Sequence, residues 1–441
     1  MKPADALAAL RELGFKPLAW LALYRFGLWT GHYRRSTPPD PTLPFACSLK
    51  PPLPLPDPVV LSSIIGDQRA ELFHEADDIT QGQVRLFGGS AVPLQLAPPP
   101  PLRHWTEYET GRAAWGVEDV KFLWEPARFG WALTLARAYQ INPVSGYAQC
   151  FADQYSVFRQ TNPFSLGPNW TSGQEIALRI IALSQAAAVF SPGTAYSPWL
   201  VHTIAVDIAL SAARLPLTLP YARAQRNNHL LSEAAGLFTA GCVLPEHPQS
   251  ARWRDQGWRI FDNALKDQVA ADGTYIQQSS NYHRLMLQLA LWMFALGRRH
   301  KNHFSQEAQQ RLIAATHWLA QRTDPETGLA PNLGNNDGAL LFPLASGGFS
   351  DYRPTVQAAC RAFMGLPCYP PGPWDELSCW LDLPLKSKPI PAPPLRSPAC
   401  MRAIHYTSRP AHADQLHVEL WRSGRPLTLD PGTYRYTSAS P

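Results

Sequence analysis

The chain is 441 residues long, with 45% hydrophobic and 17% charged residues, a balance that makes a globular protein and excludes an intrinsically disordered one. Its length exceeds what one hydrophobic core usually serves, so two units, or one large helical unit with an appendage, are expected. The formal charge of +5 suits a polyanionic partner, but no Lys/Arg run interleaved with aromatics is present, so nucleic acid is not the expected one.

The first apolar stretch, "PLAWLALYRFGLWTG" at 17–31, is interrupted by Arg25, too short to span a bilayer, and followed by no small-residue cleavage site. It reads as a packed helix, with no stable membrane span, and leaves a periplasmic and a cytoplasmic location both open. Forty-four prolines cluster at 37–58, in "LAPPPPLRHW" at 96–105 and in "PLKSKPIPAPPLRSP" at 384–398, and each cluster interrupts regular structure. Seven scattered cysteines with no CxxC pair indicate buried thiols, neither a disulfide framework nor a zinc knuckle.

Between these clusters the pattern is helical. "RFGWALTLARAYQI", "GQEIALRIIALSQAAAVF", "PWLVHTIAVDIALSAARL", "NHLLSEAAGLFTAGCV", "WRDQGWRIFDNALKDQVA", "NYHRLMLQLALWMFALGRR" and "EAQQRLIAATHWLAQR" place apolar residues at three- and four-residue steps. Short breaks make successive helices antiparallel, and several are apolar around most of their circumference. An inner and an outer layer follow, as in a mainly α (α/α) toroid of stacked antiparallel hairpins; a solenoid is the competing geometry, without a repeat to support it. Beyond 398, "DQLHVELWRSGRPLTLDPGTYRY" alternates Leu416, Val418 and Leu420 with polar residues around a Ser423-Gly424 turn, an antiparallel hairpin that reads as the truncated start of a β domain. The expected organisation is an N-terminal helix and Pro-rich entry segment over 1–110, the toroid over 111–383, a linker over 384–398 and the β start over 399–441.

Two clusters stand out against this apolar background. "RNNHLLSEAAGLF" at 226–238 puts Asn227, Asn228 and His229 at a helix start, and "QQSSNYHR" at 277–284 does the same with Asn281, Tyr282, His283 and Arg284. Asn227 or Asn228, and Asn281, are good N-caps, which accounts for the amides but not for the imidazole and the phenol beside them. If both helices lie in one layer of a toroid, the clusters converge on one rim, where helix dipoles favour an anion. This kit suits β-elimination of a uronic-acid polymer. Amide and imidazole donors stabilise the carboxylate-linked charge that develops when the C5 proton leaves, and a phenol moves protons if a neighbouring cation, Arg284 or a protonated histidine, lowers its pKa.

Glu125, Arg128, Asn169, Trp170, Glu175 and Arg179 decorate the preceding segment. Trp170 is a candidate for stacking on a sugar face, and Arg128 or Arg179 for bidentate carboxylate or sulfate binding. Their structural alternative is two helix-surface ion pairs, Glu125 with Arg128 and Glu175 with Arg179. "PNLGNNDGALL" offers Asn332, Asn335, Asn336 and Asp337 either to a cleft or to successive turns. Substrate-binding candidates are therefore Arg128, Trp170, Glu175, His283, Arg284 and Asn336.

Taken together, "FLWEPARFGWALTLARAY", "NPFSLGPNWTSGQEIALRIIAL", "NNHLLSEAAGLFTAG", "DGTYIQQSSNYHRLML", "PNLGNNDGALLFPL" and "HADQLHVELWRSGRPLTLDPGTYRY" resemble, in order and spacing, the heparinase II/III-like polysaccharide lyases and related alginate lyases. The resemblance implies a toroid followed by a β-sandwich with the cleft between them. It further implies that Asn228 and His229 neutralise a uronate carboxylate and that Tyr282 transfers protons, without a required cofactor. His412 and Asp430 match positions that hold a structural divalent metal in some relatives, together with a histidine that would lie after Pro441; the plain alternative is that Asp430 caps the "DPG" turn. The sequence departs from the family at Pro410, where many relatives carry another catalytic histidine. The partner implied is an anionic polysaccharide or oligosaccharide. Two other readings remain: a glycoside hydrolase using Glu125 and Glu175, and a glycan-binding protein of polysaccharide assembly without turnover.

Overall fold

The computed structural model describes residues 14–41, 48–191, 198–336, 340–385, 399–404, 406 and 415–430. Its principal helices are α1 (Phe15–Trp29), α2 (Pro58–Ile65), α3 (Arg69–Thr80), α4 (Lys121–Ala127), α5 (Gly130–Ile141), α6 (Ser145–Thr161), α7 (Gly173–Phe190), α8 (Pro198–Gln225), α9 (Asn228–Val243), α10 (Ser250–Gln268), α11 (Ser280–Arg299) and α12 (Gln306–Ala320).

Alternate helices form two rows. α5 packs on α7, α7 on α9 and α9 on α11, while α6, α8, α10 and α12 lie outside them. Burial separates the rows: every residue of α7 is buried, whereas α10 buries one face, including Trp253, Ile260 and Phe261. The result is an (α/α) toroid of antiparallel hairpins. Small residues set its tightest contacts. A Cβ on Gly236 of α9 would lie 2.6 Å from that of Ala177 of α7, and one on Gly257 of α10 would lie 2.6 Å from the carbonyl oxygen of Ala234.

Parity has a consequence for chemistry. Because the returning helix of each hairpin is an outer one, α5, α7, α9 and α11 all start at the same end of the toroid. Side chains seal three of these starts: Ser172 accepts from Glu175 N at 3.4 Å, Asn227 from His229 N at 3.0 Å, and Ser279 from Tyr282 N at 3.2 Å. Asn227 is therefore a cap, whereas Asn281 is not: it lies in the first turn of α11, buried, accepting from Arg284 at 3.1 Å. Phe129, Arg226 and Gln278, the residues that lead into three of these helix starts, all have positive φ (64°, 49° and 53°), sharp turns that non-glycine residues adopt only where the surroundings enforce them.

Two differences from the sequence reading concern the helices. α8 continues to Gln225 through Pro216 and Pro220, and Thr218 Oγ1 donates to the Leu215 carbonyl at 3.0 Å within that stretch. This helix is long and apolar enough to cross a membrane, yet it is packed against α1, α7 and α9. The second difference is covalent: Cys360 and Cys368 form a disulfide, so these two are not free thiols. Spacing alone could not show this, because a π-helical turn at Cys360–Met364 and a left-handed Gly365 bring the chain back on itself.

The N-terminal segment contains α2, α3 and a short hairpin, β1 (Gln83–Arg85) with β2 (Ala91–Pro93), and α1 lies along α8. At the other end of the chain, β3 (Ala399–Met401), β4 (Val418–Arg422) and β5 (Arg425–Thr428) make an antiparallel sheet in the order β3-β4-β5. The β4–β5 turn is the expected Ser423-Gly424 pair, both left-handed. Residues 386–398 of the Pro-rich linker lie outside the described residues. The sheet docks at the end of the toroid where the inner helices start. Asn332 N donates to Glu419 Oε1 at 2.9 Å, Asn332 Nδ2 to the Asp430 carbonyl at 2.7 Å, and Thr327 Oγ1 to the Gly424 carbonyl at 3.0 Å.

Candidate functional site

At this end of the toroid a cavity of about 270 Å³ is lined by Arg128, Gln174, Glu175, His229, Glu233 and Tyr282, with Trp115, Trp124 and Lys121 on its wall. Tyr282 and His229, one from each polar cluster, thus face the same space. The clusters are also joined directly, since Asn228 N donates to Gln277 Oε1 at 3.0 Å. Tyr282 is nearly buried, with 8% of its surface exposed.

Asn228 lies beneath the cavity wall and does not line it. Its Nδ2 donates to Gln174 Oε1, and Gln174 Nε2 donates in turn to Glu175 Oε1 at 3.2 Å. An amide nitrogen carries two hydrogens, so this bond fixes the orientation of the Asn228 amide and leaves one N–H uncommitted. Glu175 is held by Arg128 through two bonds, Nε to Oε2 at 2.5 Å and Nη2 to Oε1 at 2.9 Å, and Glu125 takes the Nη1 of the same guanidinium. Burial raises the Glu175 carboxyl, but its bidentate bonds and attraction to Arg128 outweigh that, and the net shift is downward. Burial pushes Glu125 up to about 7, against the pull of Arg128 and with the help of the neighbouring Glu175 charge. Glu125 with Arg128 is the pair the spacing predicts. Glu175 with Arg179 is not formed.

His229 is pushed down to about 4, chiefly by burial, with Glu175 opposing and Arg128 adding to the shift. At neutral pH its imidazole is an uncharged donor and acceptor, so it is not the protonated histidine expected beside the phenol. The cations that line the cavity are Lys121 and Arg128. Glu233, on the turn after His229, is pushed up by burial to about 8, so it holds its proton at pH 7 and can donate it to Thr218 Oγ1 at 2.9 Å, whose own hydrogen goes to the Leu215 carbonyl.

Several candidate substrate contacts are placed elsewhere. His283 points from α11 toward the outer row: its Nε2 lies 2.9 Å from the Ala315 carbonyl, its ring stacks on Trp318 at 4.4 Å, and burial lowers it to about 3. Arg284 is fully buried between the Phe349 and Tyr352 rings, at 4.9 and 4.4 Å, and donates to Asn281 and the Phe349 carbonyl. The reason is angular: successive residues on a helix are turned by about 100°, so when Tyr282 faces the cavity its two successors cannot. Trp170 packs edge-on against Phe164 at 4.8 Å and donates to the Asn162 carbonyl at 3.3 Å, away from this cavity. Arg179 is likewise committed, to the Ala127 and Asn169 carbonyls at 2.8 and 2.9 Å. Asn336 does not line the cavity. His412, His405, Pro410 and Asp337 lie outside the described residues. Asp430 meets the toroid through its carbonyl, and among the described residues no cluster of three or more His, Cys, Asp or Glu side chains fits a metal ion.

Gln174, Glu233 and Gln277 escape the sequence reading. Ser172-x-x-Glu175 has the form of a capping box, which labels the segment as a helix start and conceals that Glu175 turns inward to Arg128.

Residues 104–337 match the family model described as "Heparinase II/III N-terminus". The chain is 28% identical over 159 residues to a heparin-sulfate lyase of Bacteroides thetaiotaomicron, covering 35% of this chain and 22% of the relative. It is 27% identical over 190 residues to a heparin-sulfate lyase of Pedobacter heparinus, covering 42% and 28%. The matched segment thus spans under a third of these curated relatives. Among solved structures, a mutant of the heparan sulfate lyase HepC from Pedobacter heparinus superposes with a TM-score of 0.51 at 18% identity, over 99% of this chain and 64% of that one, a likeness of fold. With more than half of its length matched by the family model and with the toroid that its helices build, the chain belongs to the heparinase II/III family.

Proposed function

We propose that the protein is a polysaccharide lyase that cleaves a uronate-containing anionic glycan by β-elimination. The observation that carries this reading is that Tyr282 and His229 line one cavity whose wall is stiffened by the Asn228–Gln174–Glu175–Arg128 chain of hydrogen bonds. In the proposed step the uronate carboxylate sits against the His229 N–H, and Asn228 acts from beneath the wall by holding the Gln174 amide that lines it. Tyr282 enters the step as the phenolate and takes the C5 proton, the C4–O4 bond breaks as the C4=C5 double bond forms, and the resulting Tyr282 phenol returns that proton to the departing O4. Neutral donors suit this task, because they stabilise the charge that develops on the carboxylate without an ion pair that the ground state would enjoy equally. Lys121 and Arg128 are the cations at the wall, and each is paired with a carboxylate, Lys121 with Asp119 and Arg128 with Glu175. The curated relatives named above are heparin-sulfate lyases, which supports a sulfated or carboxylated uronate polymer as the substrate class.

The test is ultraviolet absorbance of the unsaturated product after incubation with a panel of uronate polymers. Tyr282→Phe is expected to lower the rate by about 10²–10⁴-fold, the range for loss of a positioned acid–base group, with an unchanged circular dichroism spectrum. Retention of the rate would remove Tyr282 from the mechanism. The hydrolase reading has one observation in its favour, the opposite shifts of Glu125 and Glu175. Against it, one guanidinium bridges both carboxylates, so both are engaged with Arg128. Reducing ends released without absorbance, and abolished by Glu175→Gln, would establish hydrolysis instead.

A further inference from the structure

Helix α1 is locked to the toroid by one face only. Tyr24 stacks on Tyr221 of α8 at 4.8 Å, Trp20 lies under the Arg223 guanidinium at 5.2 Å, and Gly27 is so close to the Tyr33 ring that a Cβ would come within 2.6 Å. The helix cannot roll to hide its other face. That face exposes Phe15, Leu23, Phe26 and Trp29, at 75%, 50%, 60% and 81%, with Ala19 and Ala22 between them at helical spacing. From Phe15 to Ser36 the chain contains Lys16, Arg25, Arg34 and Arg35 and no aspartate or glutamate, with Arg34 ion-paired to Glu107 at 2.8 Å.

We infer that α1 is a peripheral membrane anchor, whose Phe, Leu and Trp side chains enter the boundary between headgroups and acyl chains of an anionic lipid bilayer. Aromatic and aliphatic side chains mixed with cations are the makeup of helices that lie in this plane, and Lys and Arg reach headgroup phosphates while their stems stay among the chains. Charge decides between occupants. A second copy of α1 would set one cationic segment against another, and a protein partner would need carboxylates to meet Lys16 and Arg25 inside an apolar contact. An anionic bilayer supplies the opposite charge and the apolar phase together. The inference does not depend on the proposed lyase activity.

Sedimentation of the full chain with phosphatidylcholine vesicles, with and without phosphatidylglycerol, tests it. Binding is expected with phosphatidylglycerol at low salt and should weaken as salt is added. Phe26→Ser combined with Trp29→Ser should lower partitioning by about tenfold or more, and Lys16→Glu with Arg25→Glu should remove the phosphatidylglycerol preference, both with the parent's thermal unfolding because these side chains are exposed. Failure of the parent to sediment with phosphatidylglycerol vesicles at low salt overturns the inference. So does binding unchanged in both double variants, or a dimer in sedimentation velocity that the Phe26→Ser/Trp29→Ser chain loses while neither chain binds vesicles.

Discussion

His283 and Glu233 sit on neighbouring inner helices, and burial drives both toward the neutral form, with opposite consequences for stability. The folded protein holds His283 neutral down to about pH 3, while the unfolded chain protonates it near pH 6.5. Between these values the unfolded state binds more protons, so stability falls as pH falls, by up to about 5 kcal/mol from this one group. His283→Gln, whose amide can still donate to the Ala315 carbonyl, is expected to flatten the acid limb of a urea-denaturation series run against pH; an unchanged limb would mean that other groups control it. Glu233 behaves conversely. Its folded value of about 8 lies above the unfolded 4.5, so its contribution is complete below pH 4.5 and is lost as pH rises through 8. Glu233→Gln keeps the bond partner without the titration, and its stability relative to the parent should rise between about pH 4.5 and 8 and level off above that, read from the same denaturation series. Both residues were within the quoted motifs of the sequence. Their burial was not legible there, because the same letters fit a cavity wall, an interhelix contact or a cap, and only the angle at which each helix is rolled distinguishes them.

Helices α7 and α9 show what periodicity does and does not convey. Apolar residues around the full circumference of "GQEIALRIIALSQAAAVF" mark an inner helix, and α7 is indeed buried throughout. The closest approach of the pair is set by Gly236 against Ala177, which no apolar pattern reveals. Gly236→Ala would force the helix backbones apart and should cost about 1–3 kcal/mol, the range for overpacking a filled core, measured as a lowered midpoint in chemical denaturation. An unchanged midpoint would show that the two helices can separate without penalty. The shared direction of α5, α7, α9 and α11 was legible in part, since short links imply antiparallel neighbours and therefore parallel alternate helices. Where each start is capped was less so: Asn227 and Ser279 do the capping, and this frees Asn228 for Gln174 and Asn281 for Arg284.

For the whole molecule, the joint between toroid and sheet rests on Glu419. This carboxylate is fully buried, accepting from Asn332 N and, at 3.1 Å, from Trp421 Nε1. Removing one partner of a buried charged set leaves the others unpaired, so Glu419→Ala should release the sheet from the toroid at a cost of about 3 kcal/mol. Limited proteolysis is expected to cut the variant faster between the two units; equal rates would mean that the remaining contacts suffice. By itself the sequence determined the helical class, the hairpin around Ser423-Gly424, the position of the two polar clusters at helix starts and the family. These depend on local spacing and on the order of motifs along one line. Tertiary structure alone decided which side chains of each cluster share the cavity and which serve the core, together with the Glu175–Arg128 clamp and the Cys360–Cys368 bond. The physical reason is that such choices follow from how far each helix is rotated and how closely its neighbours approach, and neither quantity is carried by a stretch of chain in isolation.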